Sequence, residues 1–389
     1  MPRLFVSTAE ASAELHASRL VAALREQYPD LEVDAAGGAA LAGVGSNLVV
    51  DMSGRAVMGL WAALAHLRFY HHATERILAT LTSGAYDALV VVDAPSFHLR
   101  LAKKVHARLP DLPIIYYIAP KLWAWKKWRV KNLRRDIRKT LCIFPFEEAF
   151  LRKQGVDAVY AGNPTLDQVR DLDGEAMAAR FGVRGATRHS EPERGLLAVF
   201  PGSRGSEVKY LWPVMAETIR RIRRRFPELK AAVALAPGWT REKLLRHAPA
   251  PDDVLFVEND SQALLAASSV VLAKSGTTTL EAALMGKPMV VCWAADAVSF
   301  HIAKFVVTRG AGLYRVSLPN ILAQKDIVRE LLQGDASPDN LTAELERMLA
   351  DREYYRKMRG ELLALRETLG SERAARQAAN EVAASFQQR

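Results

Sequence analysis

The sequence predicts an α/β protein with two Rossmann-like domains facing a cleft. Short β-rich runs alternate with amphipathic helical stretches from end to end, as parallel sheets built from strand–helix–strand units require. The alternation halts at Gly162-Asn163-Pro164 and then restarts. In the second half, two apolar runs end in glycine-containing turns that open helices. At 389 residues the chain is long for one domain, about 150 residues being typical.

In chain order, 4–7, 31–35, 88–92, 114–118, 141–144 and 158–160 read as strands, separated by helix-length segments such as 11–28, 59–81 and 98–109. A polar stretch at 184–194 follows the break. Then come a strand at 196–200, a helix at 207–226, and strands at 231–235, 270–273 and 289–292. From Pro338 the chain is charged, Ala-rich and helical, interrupted at Gly370-Ser371. These features divide the chain into a domain over 1–165, a second over 166–360 and a helical tail over 361–389.

Composition narrows the class. Half the residues are apolar and a quarter charged, which is ordinary for a globular protein. Cys142 and Cys292 lie in apolar strand-like runs and read as small core residues, which fits a reducing, cytoplasmic compartment. Met1-Pro2-Arg3 runs straight into a strand-like segment without the apolar stretch of a signal peptide. The apolar stretch 57–67 falls short of the roughly 20 residues that span a bilayer, so membrane contact is expected to be peripheral. A net charge of +10 suits phosphate-bearing ligands or anionic membranes. No helix-turn-helix, zinc-finger spacing or aromatic RNA-binding signature accompanies it, so nucleic acid is not the expected partner.

The segment Phe200-Pro201-Gly202-Ser203-Arg204-Gly205-Ser206-Glu207 ends a strand and begins a helix. Gly202 and Gly205 let the backbone approach a ligand closely, and a helix N-terminus offers free N–H groups and partial positive charge. Arg204 adds a planar donor fork suited to phosphate. A second junction, Lys274-Ser275-Gly276-Thr277-Thr278-Thr279, leads into a helix where Glu281 sits one turn in, placed to accept two ribose hydroxyls. The first junction reads as a phosphate loop, with an ordinary capped helix start as the alternative, whereas the second taken alone reads as a capped helix start. Together, at two strand ends, they read as a nucleotide crevice. Asp171-Leu172-Asp173 has the form of a metal-binding pair, but Asp173 precedes a helix and reads as its N-cap. No metal and no cofactor are expected.

In the first half, the strand at 88–92 runs into Asp93-Ala94-Pro95. A carboxylate there suits a general base taking a proton from an acceptor hydroxyl, with capping of the next helix as the alternative. Between Lys121 and Lys139 nine Lys or Arg face one acid, Asp136, and three tryptophans are interleaved. Indoles beside cations suit a membrane interface or a phosphorylated amphiphile.

These residues resemble those of the lipid-A-disaccharide synthases, inverting glycosyltransferases of the two-Rossmann-domain (GT-B) type. The resemblance runs nearly the whole chain through Ala56-Val57-Met58-Gly59, Val92-Asp93-Ala94-Pro95, Leu122-Trp123-Ala124-Trp125, Phe144-Pro145-Phe146-Glu147, the 201–208 loop, Ser275-Gly276-Thr277, Glu281 and Ser317-Leu318-Pro319-Asn320. It implies a UDP-2,3-diacylglucosamine donor, a 2,3-diacylglucosamine 1-phosphate acceptor, and a β-1,6-linked disaccharide plus UDP as products. It further implies Asp93 as general base and the second domain as the nucleotide-sugar side, through Gly202, Ser203, Arg204, Gly205, Ser275, Gly276, Thr277, Glu281 and Asn320. The first domain becomes the acceptor and lipid side, with Glu10, Ser12, His16, Met58, Trp123, Trp125, Lys126 and Arg129. The enzyme is then expected on the inner face of the inner membrane, and a homodimer is an assembly the sequence leaves open.

Against the family's Gly-Glu-Thr/Ala-Ser-Gly-Asp pattern this chain has Ala9-Glu10-Ala11-Ser12-Ala13-Glu14, and Asn163 stands where a histidine is usual. Two other readings therefore fit: a GT-B homologue acting on another acceptor, and a non-catalytic relative that binds lipid or nucleotide. His71-His72 reads as a surface helix, and the arginine-rich run 220–225 as a solvent-facing helix end. The stretch 58–70 reads as a helix packed on the core, or one that receives acyl chains at the cleft.

Overall fold

The computed structural model describes residues 1–52, 60–123, 126–170, 172–183, 191–294, 315–371 and 373–386, and of residues 11 and 60–67 the backbone alone. The chain forms two compact units, one of Met1–Pro164 with Gly370–Arg389 and one of Thr165–Leu369.

The first unit holds a parallel sheet of seven strands: β1 (Arg3–Ser7), β2 (Glu32–Gly37), β3 (Asn47–Asp51), β4 (Ala88–Val92), β5 (Ile114–Tyr117), β6 (Lys139–Cys142) and β7 (Ala158–Tyr160). Their spatial order is β3-β2-β1-β4-β5-β6-β7. Chain direction across the sheet reverses between β1 and β4, where Leu4 pairs with Ala88 and Ser7 with Val91. Such a reversal opens a crevice at the carboxyl ends of the strands, where ligands of this fold class bind. Every residue of β4 is buried, as expected of a strand covered by helices on both faces.

The second unit repeats the plan with six parallel strands: β8 (Leu196–Phe200), β9 (Lys230–Leu235), β10 (Leu255–Glu258), β11 (Val270–Lys274), β12 (Met289–Trp293) and β13 (Arg329–Leu332). Their order is β10-β9-β8-β11-β12-β13, so the reversal falls between β8 and β11, with Phe200 paired to Ala273. The two glycine-containing junctions follow these two strands.

Strands β3, β10 and β13, absent from the sequence reading, are all sheet edges. Each carries charged or polar residues and lacks the continuous apolar run of a central strand. Residues 361–389, read as one tail, divide at Gly370, whose φ of 74° turns the chain. The helix Arg352–Thr368 stays with the second unit. The helix Ala374–Ala383 buries an alanine-rich face with Val6, Leu20 and Ile115 in the first unit. Gly162 permits that packing: a Cβ there would lie 2.8 Å from the Ala374 Cα.

Candidate active site

In the second unit, the ends of β8 and β11 and the helices that follow enclose a cavity of about 460 Å³ lined by Gly202, Ser203, Glu207, Lys274, Gly276 and Thr277 among others. Gly202 has φ 112°, and a Cβ there would come within 2.9 Å of the Glu207 Oε2. The helix Gly205–Arg225 starts against this turn, with the Glu207 carboxylate accepting from the Arg204 main-chain N–H at 3.4 Å. Glu207 also ties the two junctions together, since its Oε1 lies 2.8 Å from the Lys274 ammonium and 3.6 Å from the Arg204 guanidinium. Trp239 braces the loop by donating from its indole to the Ser203 carbonyl at 2.8 Å. Gly205 needs no special freedom, because a Cβ there meets nothing within 4 Å.

The second junction opens the helix Thr277–Leu284 with Gly276 at its N-cap. The Ser275 hydroxyl donates to the Val316 carbonyl at 2.8 Å. Glu281 accepts from the Gln262 amide at 3.3 Å, and that same amide nitrogen donates to Gln168 at 3.1 Å. Burial pushes the Glu281 carboxyl above the usual carboxylate range, and the Gln262 bond pulls it partly back. Asn320 lies apart from the cavity lining, buried inside the fold. Its amide donates to Val328 O and Glu330 Oε1, and its Oδ1 accepts from the N–H groups of Ile327 and Val328. All four hydrogen-bonding positions of the asparagine are thereby used within the fold. Glu330 is the hub of this corner, accepting also from Val316 N, Ser317 N and Ser317 Oγ.

In the first unit, Asp93 follows the buried β4 at the reversal point. Its backbone is left-handed, φ 52°, and so is that of Ala94, φ 45°. For residues other than glycine this costs about 1–2 kcal/mol each. The Asp93 carbonyl accepts from the Tyr116 hydroxyl at 2.5 Å and bonds His98 Nδ1 at 2.7 Å, and His98 Nε2 meets the Ser7 hydroxyl at 3.0 Å. Two hydrogen bonds of roughly 1 kcal/mol each offset much of the strain. The N-cap of the helix Pro95–Arg108 is Ala94, which makes no side-chain cap bond. Burial raises the Asp93 carboxyl above the ordinary carboxylate range, opposed by the Ala94 N–H and the Lys121 charge. A carboxylate so held is a stronger base than one in water.

The residues of the N-terminal loop take varied places. Glu10 and Ser12 are exposed at the start of the helix Ala11–Gln27, and burial lowers the His16 imidazole to about 4. Neither Ala9 nor Ala13 has a positive φ, and both pack against core clusters. Glu14 accepts from the N–H groups of Ala40 and Leu41 at 2.7 and 3.2 Å, capping the helix Ala39–Gly43. Asn163 donates to the Ile143 carbonyl at 2.8 Å. The residues that depart from the family pattern thus serve the packing of this fold.

Of the basic, tryptophan-containing segment, Trp123 is built into the fold. Its indole N–H donates to Glu147 at 2.9 Å, and its ring meets Phe146 edge-on at 5.0 Å. Trp128 is 61% exposed, with the Arg129 guanidinium 5.4 Å from its ring centre. Lys126 and Lys127 beside it are exposed as well. Met58 and Trp125 lie outside the described residues. Asp173 does cap its helix, accepting from Glu175 N and Ala176 N. The arginines at the end of Gly205–Arg225 do not simply face solvent: Arg221 pairs with Glu217 and Asp339, Arg223 donates to the Asp252 carbonyl, and Arg225 pairs with Glu346.

The sequence reading gave no role to Lys274, Glu207, Gln262, Glu330 or His98. For Lys274 a signal was present, a cation directly before Ser-Gly-Thr at a strand end. The others become visible only once distant segments meet.

Compared with known proteins, residues 4–383 match the family described as lipid-A-disaccharide synthetase. The chain is 35% identical over 383 residues to the lipid-A-disaccharide synthase of Myxococcus xanthus, covering 98% of this chain and 97% of that one. It is 32% identical over 388 residues to the lipid-A-disaccharide synthase of Koribacter versatilis, covering 99% and 98%. Among solved structures, the UDP-GlcNAc 2-epimerase of Neisseria meningitidis, bound to UDP-GlcNAc, aligns over 100% of both chains with a TM-score of 0.63 at 12% identity. Phytolacca americana UGT2, complexed with UDP-2fluoro-glucose and pterostilbene, aligns over 100% of both chains with a TM-score of 0.64 at 13% identity. At such identities the likeness is one of fold.

Proposed function

The chain belongs to the lipid-A-disaccharide synthase family and is a UDP-sugar-dependent hexosyltransferase of lipid A biosynthesis; from that premise we propose how its residues divide the reaction. The acceptor is 2,3-diacylglucosamine 1-phosphate and the donor UDP-2,3-diacylglucosamine. Asp93 takes the proton from the acceptor's 6-hydroxyl as that oxygen attacks the donor's anomeric carbon. The bond from that carbon to the phosphate oxygen breaks, the configuration inverts to β, and UDP departs. Gly202, Ser203, Gly276 and Thr277 and the two helix N-termini receive its phosphates, with Arg204 at the rim. Such preorganised donors contribute several kcal/mol where charge develops on a leaving group. Glu281, steadied by Gln262, takes the ribose hydroxyls.

The observation that carries this reading is one of position. Asp93 and the phosphate cavity each lie at the chain reversal of their own sheet, on the carboxyl side of the strands. Two UDP-ligand structures of the same fold are consistent with the donor assignment.

We place the enzyme peripherally on the inner face of the inner membrane. Among the described residues no helix is long and apolar enough to cross a membrane. The exposed Lys126, Lys127, Trp128, Lys131 and Arg134 form the surface that meets anionic lipid, at roughly 1 kcal/mol per basic residue. Purified protein given UDP-2,3-diacylglucosamine should release UDP only when 2,3-diacylglucosamine 1-phosphate is present. Equal release with unrelated acylated acceptors overturns the acceptor assignment.

A further inference from the structure

The cavity's fixed cation is not the arginine that the loop motif advertises. The Arg204 side chain is 79% exposed, whereas that of Lys274 is 18% exposed and the Glu207 carboxylate beside it 9%. We propose that Lys274 is a diphosphate ligand of this site, its ammonium held in the crevice between β8 and β11 by Glu207.

Lys274 is the last residue of β11, directly after Ala273, which pairs with Phe200 of β8. Its ammonium therefore sits at the reversal point, on the wall shared by both strand–helix junctions. Of three ammonium hydrogens, the 2.8 Å bond to Glu207 Oε1 uses one, and Glu207 is the ion partner of Lys274 among the described residues. The ammonium borders the second junction as well, since a Cβ on Gly276 would lie 3.8 Å from Nζ. Among the described residues, Lys274 and Glu207 are the charged ones of the cavity lining. With Arg204 at the rim, two cations stand against one carboxylate, and both helix N-termini add positive potential.

An ion pair serving the fold alone has no need to line a cavity between two phosphate-type turns. A compact point charge with two further donors, aimed where a diphosphate lies between those turns, is what a lysine ammonium supplies. Arg204, extended in solvent, is then the mobile partner, and Lys274 the fixed one that neutralises charge as UDP departs.

This inference rests on the nucleotide reading of the cavity, and titration calorimetry with UDP and with uridine tests the two separately. The wild type should bind UDP far more tightly than uridine. Lys274→Met should weaken UDP binding on the order of 10- to 100-fold and leave uridine binding unchanged. Lys274→Arg should recover part of the loss, and Lys274→Gln serves, with the same expectation as methionine, if methionine unsettles the fold. A wild type that does not prefer UDP over uridine removes the nucleotide reading itself. A wild type that does, with Lys274→Met and Lys274→Gln keeping the full preference, overturns the role of Lys274 alone.

Discussion

His98 holds the main-chain carbonyl of Asp93 at 2.7 Å through its Nδ1. Complete burial lowers this imidazole to about 4, so it is neutral at physiological pH. A carbonyl can only accept, which puts the single ring proton on Nδ1 and leaves Nε2 to accept from the Ser7 hydroxyl. Ser7 on β1, Asp93 after β4 and Tyr116 on β5 are thus locked around one peptide group whose backbone is strained. His98→Leu should lower kcat at least 10-fold with little change in the KM for the donor, which we assign to the other unit. His98→Asn, whose amide can donate where Nδ1 did, should restore part of it. Asp93→Asn should cost about 10²- to 10⁴-fold. Steady-state kinetics on the three variants check this, and an unchanged kcat in His98→Leu removes the positioning role.

The two glycines of the 201–205 turn should respond oppositely. Gly202→Ala forces a left-handed alanine and drives its Cβ to within 2.9 Å of Glu207, so UDP affinity should fall 10-fold or more. Gly205→Ala adds a methyl to open space at the first position of a helix, so affinity should hold and the melting temperature should stay level or rise. UDP titrations and thermal melts separate these outcomes, and equal losses in both variants contradict the loop geometry.

For Asn320 the expectation is a loss of stability rather than of a ligand contact. Asn320→Ala strips the acceptor from two buried N–H groups and a donor from Glu330, a cost of roughly 2–4 kcal/mol. The melting temperature should drop, while the folded fraction still binds UDP. A variant that melts like the wild type but has lost UDP would make Asn320 a direct ligand instead.

Glu147 makes stability depend on pH. Burial raises its carboxyl to about 7, opposed chiefly by the Trp123 indole N–H. Its folded value lies above the ordinary value of 4.5, so the folded state binds the proton more tightly. The contribution to stability is full below about 4.5 and is lost as pH rises through about 7, amounting to roughly 3 kcal/mol. His98 and His16, both lowered to about 4, work the other way, losing stability as pH falls from about 6.5 toward 4. Glu147→Gln should therefore gain melting temperature relative to the wild type as pH rises from about 4.5 to about 7. A difference between the two that stays constant across that range contradicts the assignment.

The central strands were legible because burial on both faces writes a continuous apolar run, as in Ala88–Val92. The edge strands β3, β10 and β13 were not, since half-exposed strands dilute that run with polar residues. The turn at Gly202 and the helix that follows it were legible because glycine and a helix start leave a local signature. The partners that tune the site were not: Ser7 and His98 meet across 91 positions, and no local pattern reports the meeting. The alanines that stand in place of two glycines in the first loop left open another acceptor or a non-catalytic relative. The structure spends them instead on the core, with no positive φ at either position. Trp123 misled in the opposite sense, because an indole among cations suggests a membrane surface while its N–H is spent on Glu147.

The central claim is that this chain couples the two acylated glucosamines with Asp93 as the base. Mass spectrometry and anomeric NMR of the product formed from UDP-2,3-diacylglucosamine and 2,3-diacylglucosamine 1-phosphate, by wild type and Asp93→Asn side by side, test it most directly. The account predicts a β-1,6-linked disaccharide with one UDP released per linkage, made by the wild type and barely by the variant. An α linkage, a different acceptor position, or equal product from Asp93→Asn would contradict it.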